Sequence, residues 1–523
     1  MSSSQQTKSQ DTITSDPEAR AARNYEEQHS YTQTINKFRP AIKWSALFAI
    51  TIVGEGYDLA LMGNFFSLSQ FQNLFGYSPG RGAAKEIPAL WQSMILTGSQ
   101  FGQVSAMYFA GLSMERFGYR KTMMFSLGTV TVFLFVNFFA TAALATGGYN
   151  AGLRMIVVGE FLLACVLTYA SDISPLKLRP ALTTFGSMCW IFGQLFSTAA
   201  IKSVTTIKDN DALAYGLPVA IQWIWPLPML ICVFFAPESP WWLIRQSRPD
   251  LARSSLARLN TDPAYPVDGQ VKVLELTNKQ EKYDMNDSEI TYLECFRGVN
   301  LRRTMIVVMT NLTHQLCGSA LMLYSAKLYQ KAGMSSSKSY SFTLIQYAIG
   351  IVCIFISWPL MKCIGCRTIW LWGLGGAVIL MAGVGVLGFF HDTHVAIPWI
   401  IAIMLVAFTG VYNLSIGPLA YAINPEIPST RQKAKTLVIG RVVYLIAGQF
   451  NIWLLPIMLE DAPNGWGLGP RTAVVYSGIN VIFWGWAYFC LPEVRGRPQA
   501  AMDELFKRKV SARRFSQVEV ETL

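Results

Sequence analysis

The segment Glu115–Thr122 reads ERFGYRKT, and the related segment Cys363–Thr368, CIGCRT, follows 247 residues later (365 − 118, counted between the glycines). Each segment comes directly after an apolar block of membrane-spanning length. A second pair, Pro237–Leu243 (PESPWWL) and Pro492–Pro498 (PEVRGRP), stands 255 residues apart (492 − 237). Motif pairs that recur at nearly one spacing predict a duplicated unit, so we expect two similar halves.

The composition around these motifs is that of a membrane protein. The 523 residues are 52% hydrophobic and 14% charged, against roughly 25% charged residues in a typical soluble domain. The apolar residues fall into blocks of about 20, and each block can cross the hydrocarbon core as a helix that satisfies its own backbone. We number these blocks 1 to 12: residues 43–66, 92–113, 123–146, 152–170, 184–204, 218–236, 304–327, 341–361, 369–390, 396–421, 434–459 and 472–491. The pattern predicts an all-α membrane protein of twelve transmembrane helices in two six-helix halves related by pseudo-symmetry.

Polar segments flank and separate the two sets of blocks. They predict a disordered cytoplasmic N-terminal tail at residues 1–41, an N-terminal half at 42–236, a cytoplasmic linker with short helices at 237–303, a C-terminal half at 304–491 and a cytoplasmic C-terminal tail at 492–523. Block 4 has only about 15 apolar residues, or roughly 22 Å of helix. We therefore expect a fourth helix shorter than the tenth.

Basic residues predict the orientation. Three connectors that lie on the same side as both tails are rich in lysine and arginine, which predicts that this side is cytoplasmic. These residues are Arg116, Arg120, Lys121, Lys177, Arg179, Arg431, Lys433 and Lys435. Lys327, Lys331 and Lys338 are exceptions on the opposite side. The net charge of +11 is dispersed over connectors and tails and forms no single stripe, so a nucleic-acid partner is not expected.

The sequence contains no arrangement typical of an enzyme. No constellation of a nucleophile, a metal site or a phosphate loop is apparent, so neither catalysis nor a cofactor is expected. Cys363 and Cys366 form a lone CxxC without a second ligand pair, which is too little to predict a metal. Most of the nine cysteines lie inside apolar blocks, which disfavours a disulfide framework.

An ordered series of motifs resembles the sugar porter family of the major facilitator superfamily, and within it the fungal α-glucoside (maltose-type) permeases. The motifs are EGYD at Glu55, ERFGYRKT at Glu115, CWIFGQL at Cys189, PESPWWLIRQSR at Pro237, QLCG at Gln315, YSAKLYQKAG at Tyr324, GPLAYAINPEIPSTRQKAKT at Gly417 and LPEVRGRP at Leu491. The resemblance extends from about Ile42 to Phe506 and implies the major facilitator fold with alternating access. Trp241, Trp242 and Tyr421 are similar to the α-glucoside branch, which favours a disaccharide or glucoside over a hexose.

Two carboxylates stand in block 1. Glu55 and Asp58 are three residues apart, so we expect both to face one side of the helix and to line the central cavity. An ionisable group at membrane depth costs about 2.5 to 3.5 kcal/mol, which usually indicates a functional position. The resemblance implies proton coupling at these residues; the alternative is a pair of structural acids bonded to neighbouring backbone.

Two further charged residues lie inside apolar blocks. Glu160 in block 4 stands where sugar porters have arginine and the α-glucoside branch has glutamine, and we include it among the candidate proton-coupling residues. Arg441 in block 11 matches an intramembrane arginine of the family. It would hold sugar hydroxyls or offset a carboxylate; the alternative is a basic residue at the cytoplasmic surface.

The resemblance also implies a sugar site. Sugar hydroxyls both donate and accept hydrogen bonds, so amides suit them, while aromatic rings pack on the apolar faces of the sugar. Positions carried over from the family are Ser187, Gln194, His314, Gln315, Tyr421 and Tyr444. Ser187 replaces an Asn or Gln and His314 replaces a Gln of the usual pattern. For each position taken alone, ordinary helix packing is the alternative.

The resulting hypothesis is a proton-coupled importer of an α-glucoside or related oligosaccharide. Its partners would be the sugar, protons and the lipid bilayer, and we expect a monomer in the plasma membrane with both termini in the cytoplasm. Two alternatives remain open: a sugar sensor that does not transport, and a facilitator for another sugar or a polyol.

Overall fold

The computed structural model describes residues 37–78, 85–164, 179–207, 209–262, 265–286, 292–390, 396–429, 432–461, 465–495 and 499–515, with the single residues 17, 394 and 518. Within these ranges the chain is helical, and the only β-type pairing is one isolated bridge between Tyr77 and Glu86. The prediction of an all-α protein is confirmed.

The helices before the linker form the first half of the bundle. They are α1 (Arg39–Phe65), α2 (Ser69–Phe75), α3 (Ala89–Phe117), α4 (Tyr119–Phe138), α5 (Ala140–Ala164), α6 (Arg179–Val204), α7 (Asp211–Ile221) and α8 (Pro226–Phe235). Three helices of the linker follow: α9 (Pro240–Arg245), α10 (Pro249–Leu259) and α11 (Val267–Asn286).

The second half repeats this arrangement. Its helices are α12 (Gly298–Leu316), α13 (Ser319–Leu323), α14 (Ser325–Lys331), α15 (Ser336–Cys363), α16 (Cys366–Leu387), α17 (Ile397–Leu414), α18 (Ile416–Ile423), α19 (Lys433–Leu459) and α20 (Thr472–Cys490), followed by α21 (Gln499–Lys507). Among the described residues, nine helical segments are long and apolar enough to cross a membrane. They correspond to blocks 1, 3 and 6 to 12, while α3, the part of α5 after Gly148, and α6 occupy blocks 2, 4 and 5.

The turn between α3 and α4 is closed by the first PES motif. Gly118 has a φ of +89°, a conformation that favours glycine. The Glu238 carboxylate accepts hydrogen bonds from the backbone N–H groups of Tyr119 (2.9 Å) and Arg120 (3.0 Å). These groups are the free donors of a helix N-terminus, where the helix dipole also favours an anion. Glu238 therefore caps α4 across 118 residues of sequence.

The turn between α15 and α16 has the same construction. Gly365 has a φ of +99°, and Glu493 accepts from the N–H groups of Cys366 (2.9 Å) and Arg367 (3.1 Å). The two motif pairs found in the sequence thus make equivalent capped turns, one in each half. The duplication predicted from their spacing is confirmed.

The linker and α21 lie at one end of the bundle, which we call the linker end. Trp242 and Gln246 each donate a hydrogen bond to the carbonyl oxygen of Glu115 at the end of α3 (3.0 Å). At the second half, Asp503 of α21 forms an ion pair with Arg303 of α12, and Phe506 is buried beside them. We call the opposite end of the bundle the distal end.

A break between α12 and α13 opens the centre of the second half. Gly318 has a φ of +105°, which interrupts the helix and leaves carbonyl groups without intrahelical partners. Asn451 donates to the carbonyl of Gln315 (2.7 Å), and Asn480 donates to the carbonyl of Cys317 (2.9 Å). The break is therefore compatible with burial in a membrane, because side chains replace the missing helix partners.

Helices α1 and α6 approach each other more closely than side chains would allow. A Cβ at Gly56 would collide with the carbonyl oxygen of Trp190, and a Cβ at Gly193 would collide with that of Val53. This contact fixes the rotation of α1 and decides which of its residues face the cavity.

The prediction of a short fourth helix lies partly outside the described residues. After the break at Gly148, where φ is +64°, α5 continues to Ala164, the last residue described before Arg179. Residues 165–170 of block 4 are not among those described, so the length of this helix stays a prediction.

The capped turns lead to a stability prediction. Gly365→Ala should destabilise the protein by at least about 1 to 2 kcal/mol, the cost of a left-handed non-glycine residue. In addition, the new Cβ would lie 2.7 Å from Oε2 of Glu493 and displace the capping carboxylate. The measurement is the thermal unfolding midpoint of the purified protein in detergent, followed by tryptophan fluorescence.

Gly128→Ala in α4 is the matched control, because a Cβ there meets no atom within 4 Å and alanine favours the helix. Its midpoint should stay the same or rise. Equal midpoints for the two variants would show that the capped turn is not a source of stability.

Candidate functional site

A central cavity of about 470 Å³ lies between the two halves. Its walls come from α1, α3 and α6 of the first half and from α12, α13, α15 and α17 to α19 of the second. Eight of the ten predicted site residues line it: Glu55, Ser187, Gln194, His314, Gln315, Tyr421, Arg441 and Tyr444. Asp58 and Glu160 do not. The structure therefore brings together all six predicted sugar-site residues, although their role in binding stays a prediction.

His314 occupies the centre of an aromatic cluster in the cavity wall. Its ring centroid lies 5.8 Å from that of Tyr412, 5.7 Å from that of Tyr421 and 5.5 Å from that of Tyr444. The Tyr412 hydroxyl and Nε2 of His314 are hydrogen-bonded at 3.1 Å. Tyr412 therefore fixes the orientation of the imidazole and leaves Nδ1 as the second polar atom of the ring.

One acid and one base face each other across the cavity. Glu55 of α1 interacts electrostatically with Arg441 of α19, and Nε2 of Gln103 lies 3.5 Å from Oε1 of Glu55. The Arg441 guanidinium stacks over the ring of Tyr444, 4.7 Å from its centroid. The opposite formal charges of Glu55 and Arg441 balance each other, so this pair suits a neutral ligand better than an ionic one.

Asp58 was expected beside Glu55 on the cavity wall, and this expectation is wrong. Residues three apart on a helix point about 60° away from each other. The close contact at Gly56 and Gly193 fixes the rotation of α1 against α6. In this rotation Glu55 faces the central cavity, whereas Asp58, about 60° further round the helix, faces the interior of the first half. Asp58 instead lines a separate space of about 30 Å³ with Gln222.

Asp58 and Glu160 form a buried pair of acids. Their carboxyl groups are hydrogen-bonded to each other, and the two residues are 6% and 1% exposed. Gln222 donates to Oδ1 of Asp58 (2.5 Å), and Asn137 donates to Oε1 of Glu160 (2.7 Å). A hydrogen bond between two carboxyl groups requires a proton on at least one of them. Two carboxyl groups arranged in this way can share one proton.

Several polar residues of these sites were not predicted. Gln222 and Asn137 surround the acid pair, and Tyr412 and Gln100 line the central cavity. The only sequence signal was polarity within an apolar block, which packing explains equally well. Tyr412 precedes the helix break at Ser415, so its direction relative to Tyr421 does not follow from helical spacing.

The distal end of the cavity is closed by polar contacts between the halves. The distal parts of helices α3 and α19 are joined by three hydrogen bonds: Ser93 to the carbonyl of Ile452 (3.0 Å), Gln449 to Thr97 (2.6 Å) and Gln100 to the carbonyl of Leu445 (2.6 Å). We call this set the α3–α19 ladder.

Beyond the ladder lies a buried ion pair. Lys327 of α14 and Glu460 after α19 are 4% and 1% exposed and are in direct contact. Gln92 of the first half donates to the same carboxylate, and its own Oε1 accepts from Lys327 (3.2 Å). Each charge thus has a partner, as burial of ions requires.

Lys331 extends this ion pair toward the surface. Its Nζ lies 2.6 Å from a carboxylate oxygen of Asp461 and 3.6 Å from one of Glu86. Glu86 belongs to the first half and Asp461 to the second, so this lysine also joins the halves. Lys327 and Lys331 were exceptions to the charge pattern in the sequence, and their acidic partners account for both.

Comparisons with known proteins agree with this architecture. A family model described as "Sugar (and other) transporter" matches residues 44–506. The general alpha-glucoside permease of Saccharomyces cerevisiae is 34% identical over 516 residues, which is 96% of this chain and 81% of that protein. The maltose permease MAL31 of the same species is 34% identical over 499 residues, or 93% of this chain and 79% of that protein.

Solved structures show the same fold. A partially occluded inward open conformation of the xylose transporter XylE from E. coli matches with a TM-score of 0.69 at 16% identity, over 88% of this chain and 99% of that one. XylE bound to 6-bromo-6-deoxy-D-glucose, described as a proton:xylose symporter, matches with a TM-score of 0.66 at 18% identity, over 90% and 99%.

Two similar halves around a central cavity, together with these structural matches, show the major facilitator fold. The family is one of transporters, so the protein acts as a carrier. The chain belongs to the sugar transporter family of multi-pass membrane proteins.

The buried ion pair leads to a second stability prediction. Lys327→Met should cost about 3 to 5 kcal/mol, because it leaves Glu460 buried without its main counter-charge. The double variant Lys327→Met/Glu460→Leu should recover most of this loss, since neither charge then remains. Unfolding midpoints of the purified variants measure both effects.

Lys331→Met is the control, and it should cost less than about 1 kcal/mol because its closest partner, Asp461, is 66% exposed at the side chain. A Lys327→Met variant as stable as Lys331→Met would contradict the interpretation of a dry, energetically important pair.

Proposed function

We propose that the protein imports an α-glucoside, such as maltose or a related disaccharide, together with protons. The observation that carries this proposal is the convergence of amides and aromatic rings from both halves on one central cavity. A ligand held by both halves can be released to either side when the halves tilt, which is the geometry of alternating access.

The cavity chemistry supports a neutral, hydroxyl-rich ligand. Gln194 and Gln315 offer donors and acceptors from opposite halves, and Tyr421 and Tyr444 offer ring faces. A volume of about 470 Å³ lies within the usual range for small-molecule sites, about 300 to 1,000 Å³. The names of the curated relatives, an alpha-glucoside permease and a maltose permease, favour a glucoside over other neutral ligands.

The acid pair supports proton coupling. Asp58 and Glu160 share a hydrogen bond deep in the first half, so the pair can take up a further proton and lose its remaining charge. We propose that it gains a proton when the cavity faces outward and releases it when the cavity faces inward. Xylose symport with protons by XylE, which has the same fold, is consistent with this mechanism.

We also propose an orientation. The linker end would be cytoplasmic, as would both termini, and the distal end would face outward in the plasma membrane. Large apolar side chains on the bundle surface, including Phe125 (76% exposed), Ile379 (70%) and Ile482 (69%), would contact lipid acyl chains. The contacts at the distal end then correspond to a state closed to the outside. We further propose that the protein is a monomer and that its segments have the limits inferred from the sequence.

Substrate uptake tests the sugar site. Cells lacking their own transporters would be supplied with labelled maltose, sucrose, methyl-α-glucoside and glucose while external pH is recorded. In the wild type we expect maltose uptake with alkalinisation of the medium. Gln315→Ala should raise the apparent KM about tenfold to a hundredfold, because unpaired sugar hydroxyls cost about 1 to 3 kcal/mol.

Gln72→Ala serves as the control, since the Gln72 amide bonds the carbonyl of Phe66 at the distal end and lies away from the cavity wall. An unchanged KM in Gln315→Ala would remove this residue from the sugar site. Absence of any glucoside uptake by wild-type protein at the cell surface would reject the proposed substrate.

Removal of the acid pair tests coupling. Asp58→Asn and Glu160→Gln should each abolish accumulation against a gradient while leaving downhill exchange of sugar, because neither amide can take up a proton at membrane depth. Uphill uptake and counterflow would be measured in the same cells at several external pH values. Wild-type accumulation should decline as external pH rises, and counterflow in the variants should not.

Asp250→Asn makes the same chemical change on the exposed surface of α10 and should leave accumulation intact. If Asp58→Asn still accumulates sugar, Asp58 is not the coupling site. If the wild type moves sugar downhill only, the protein is a facilitator.

A further inference from the structure

A glycine of α19 lies against two glutamine amides in the cavity wall. Gly448 is buried, and a Cβ built on it would lie 3.0 Å from Nε2 of Gln100 and still closer to Nε2 of Gln315. Real Cβ atoms are essentially never found at less than 3.0 Å from another heavy atom. The two amides therefore occupy the space that any side chain at this position would need.

These amides come from opposite halves of the protein. Gln100 belongs to α3 and Gln315 to α12, and both line the central cavity together with Gly448. Nε2 of Gln100 donates to the carbonyl of Leu445, one turn before Gly448. Its Oε1 is buried and has no hydrogen-bond partner among the described residues.

A side chain at position 448 would affect the cavity. Gly448 and both amides line the cavity, so a Cβ at position 448 would take up space at the cavity wall and push the amides aside. Both are the far ends of flexible side chains, which can move without shifting a helix. The displacement would consume cavity volume and leave the fold intact.

We propose that Gly448 determines the size of sugar that the cavity accepts. By leaving room for Gln100 and Gln315 against α19, it preserves space for the second ring of a disaccharide. This inference rests on the proposed α-glucoside function and deepens it. A glucoside with a single ring needs less of the cavity and should be much less sensitive to position 448.

A series of substitutions tests the proposal. Gly448→Ala and Gly448→Val would be compared with wild type by the KM and maximal rate of uptake of labelled maltose and of labelled methyl-α-glucoside. We expect the KM for maltose to rise about tenfold in Gly448→Ala and further in Gly448→Val, as overpacking of a filled site predicts. The KM for methyl-α-glucoside should change less than about threefold.

Gly478→Ala and Gly478→Val are the matched controls. Gly478 lies on the exposed face of α20, where a Cβ meets no atom within 4 Å. These variants should transport both sugars like wild type. Amounts at the cell surface would be measured for every variant, so that a lower maximal rate caused by poor expression is separated from a change in KM.

Gln100→Ala provides the opposite change and does not require the Gly448 variants to fold. Shortening this side chain enlarges the cavity beside Gly448, so uptake of maltotriose relative to maltose should increase. Equal changes of KM for the one-ring and two-ring sugars in Gly448→Ala would overturn the inference. So would an unchanged or lower maltotriose ratio in Gln100→Ala.

These outcomes are distinct from failure of the proposed function. If wild-type protein transports neither maltose nor methyl-α-glucoside, the proposed substrate is wrong. If it transports both and the substitutions at position 448 affect both equally, the substrate stands and only the role of Gly448 is rejected.

Discussion

The hydrogen bonds from Asn451 and Asn480 to the carbonyl groups of Gln315 and Cys317 are the contacts on which the central cavity depends. Hydrocarbon offers no partner for a free carbonyl, so a helix can break at membrane depth only where the protein supplies one. Tyr476 fixes Asn451 in turn, through a hydrogen bond of 3.0 Å to its Oδ1. With these partners in place, α12 can end and the chain can turn at Gly318. The residues on both sides of this turn, Gln315 and Ser319, line the cavity.

The fold could be predicted from the sequence to a large extent, because each of its main determinants is local. Apolar length marks a spanning helix, and the pairing of Glu238 and Glu493 with the two glycine turns is visible as repeated motifs. The predicted sugar-site residues also share one cavity, since the family resemblance fixed their positions along the helices. Resemblance could not give the roles of these residues, which depend on a ligand.

What could not be predicted depends on contacts between distant segments. The sequence spacing of Glu55 and Asp58 is compatible with one shared face, and only the packing of Gly56 against α6 separates them. In the sequence, Gln222 is only a polar residue in an apolar block, and nothing there indicates its hydrogen bond to Asp58. Glu160 likewise looked like a misplaced charge, because the resemblance implies arginine or glutamine there. In the structure it lies beside Asp58, so two acids share this site.

The α3–α19 ladder differs in kind from the packing within each half. Its bonds link amide and hydroxyl side chains to each other and to backbone carbonyls, whereas the interior of each half is largely aliphatic and aromatic. Water can form each of these polar bonds in place of the opposite helix at little enthalpic cost. Hydration of the seam would therefore compensate for the hydrogen bonds that break as the two helices part. A seam built from apolar side chains would instead expose hydrophobic surface to water and resist opening, so the polar seam makes the closure reversible.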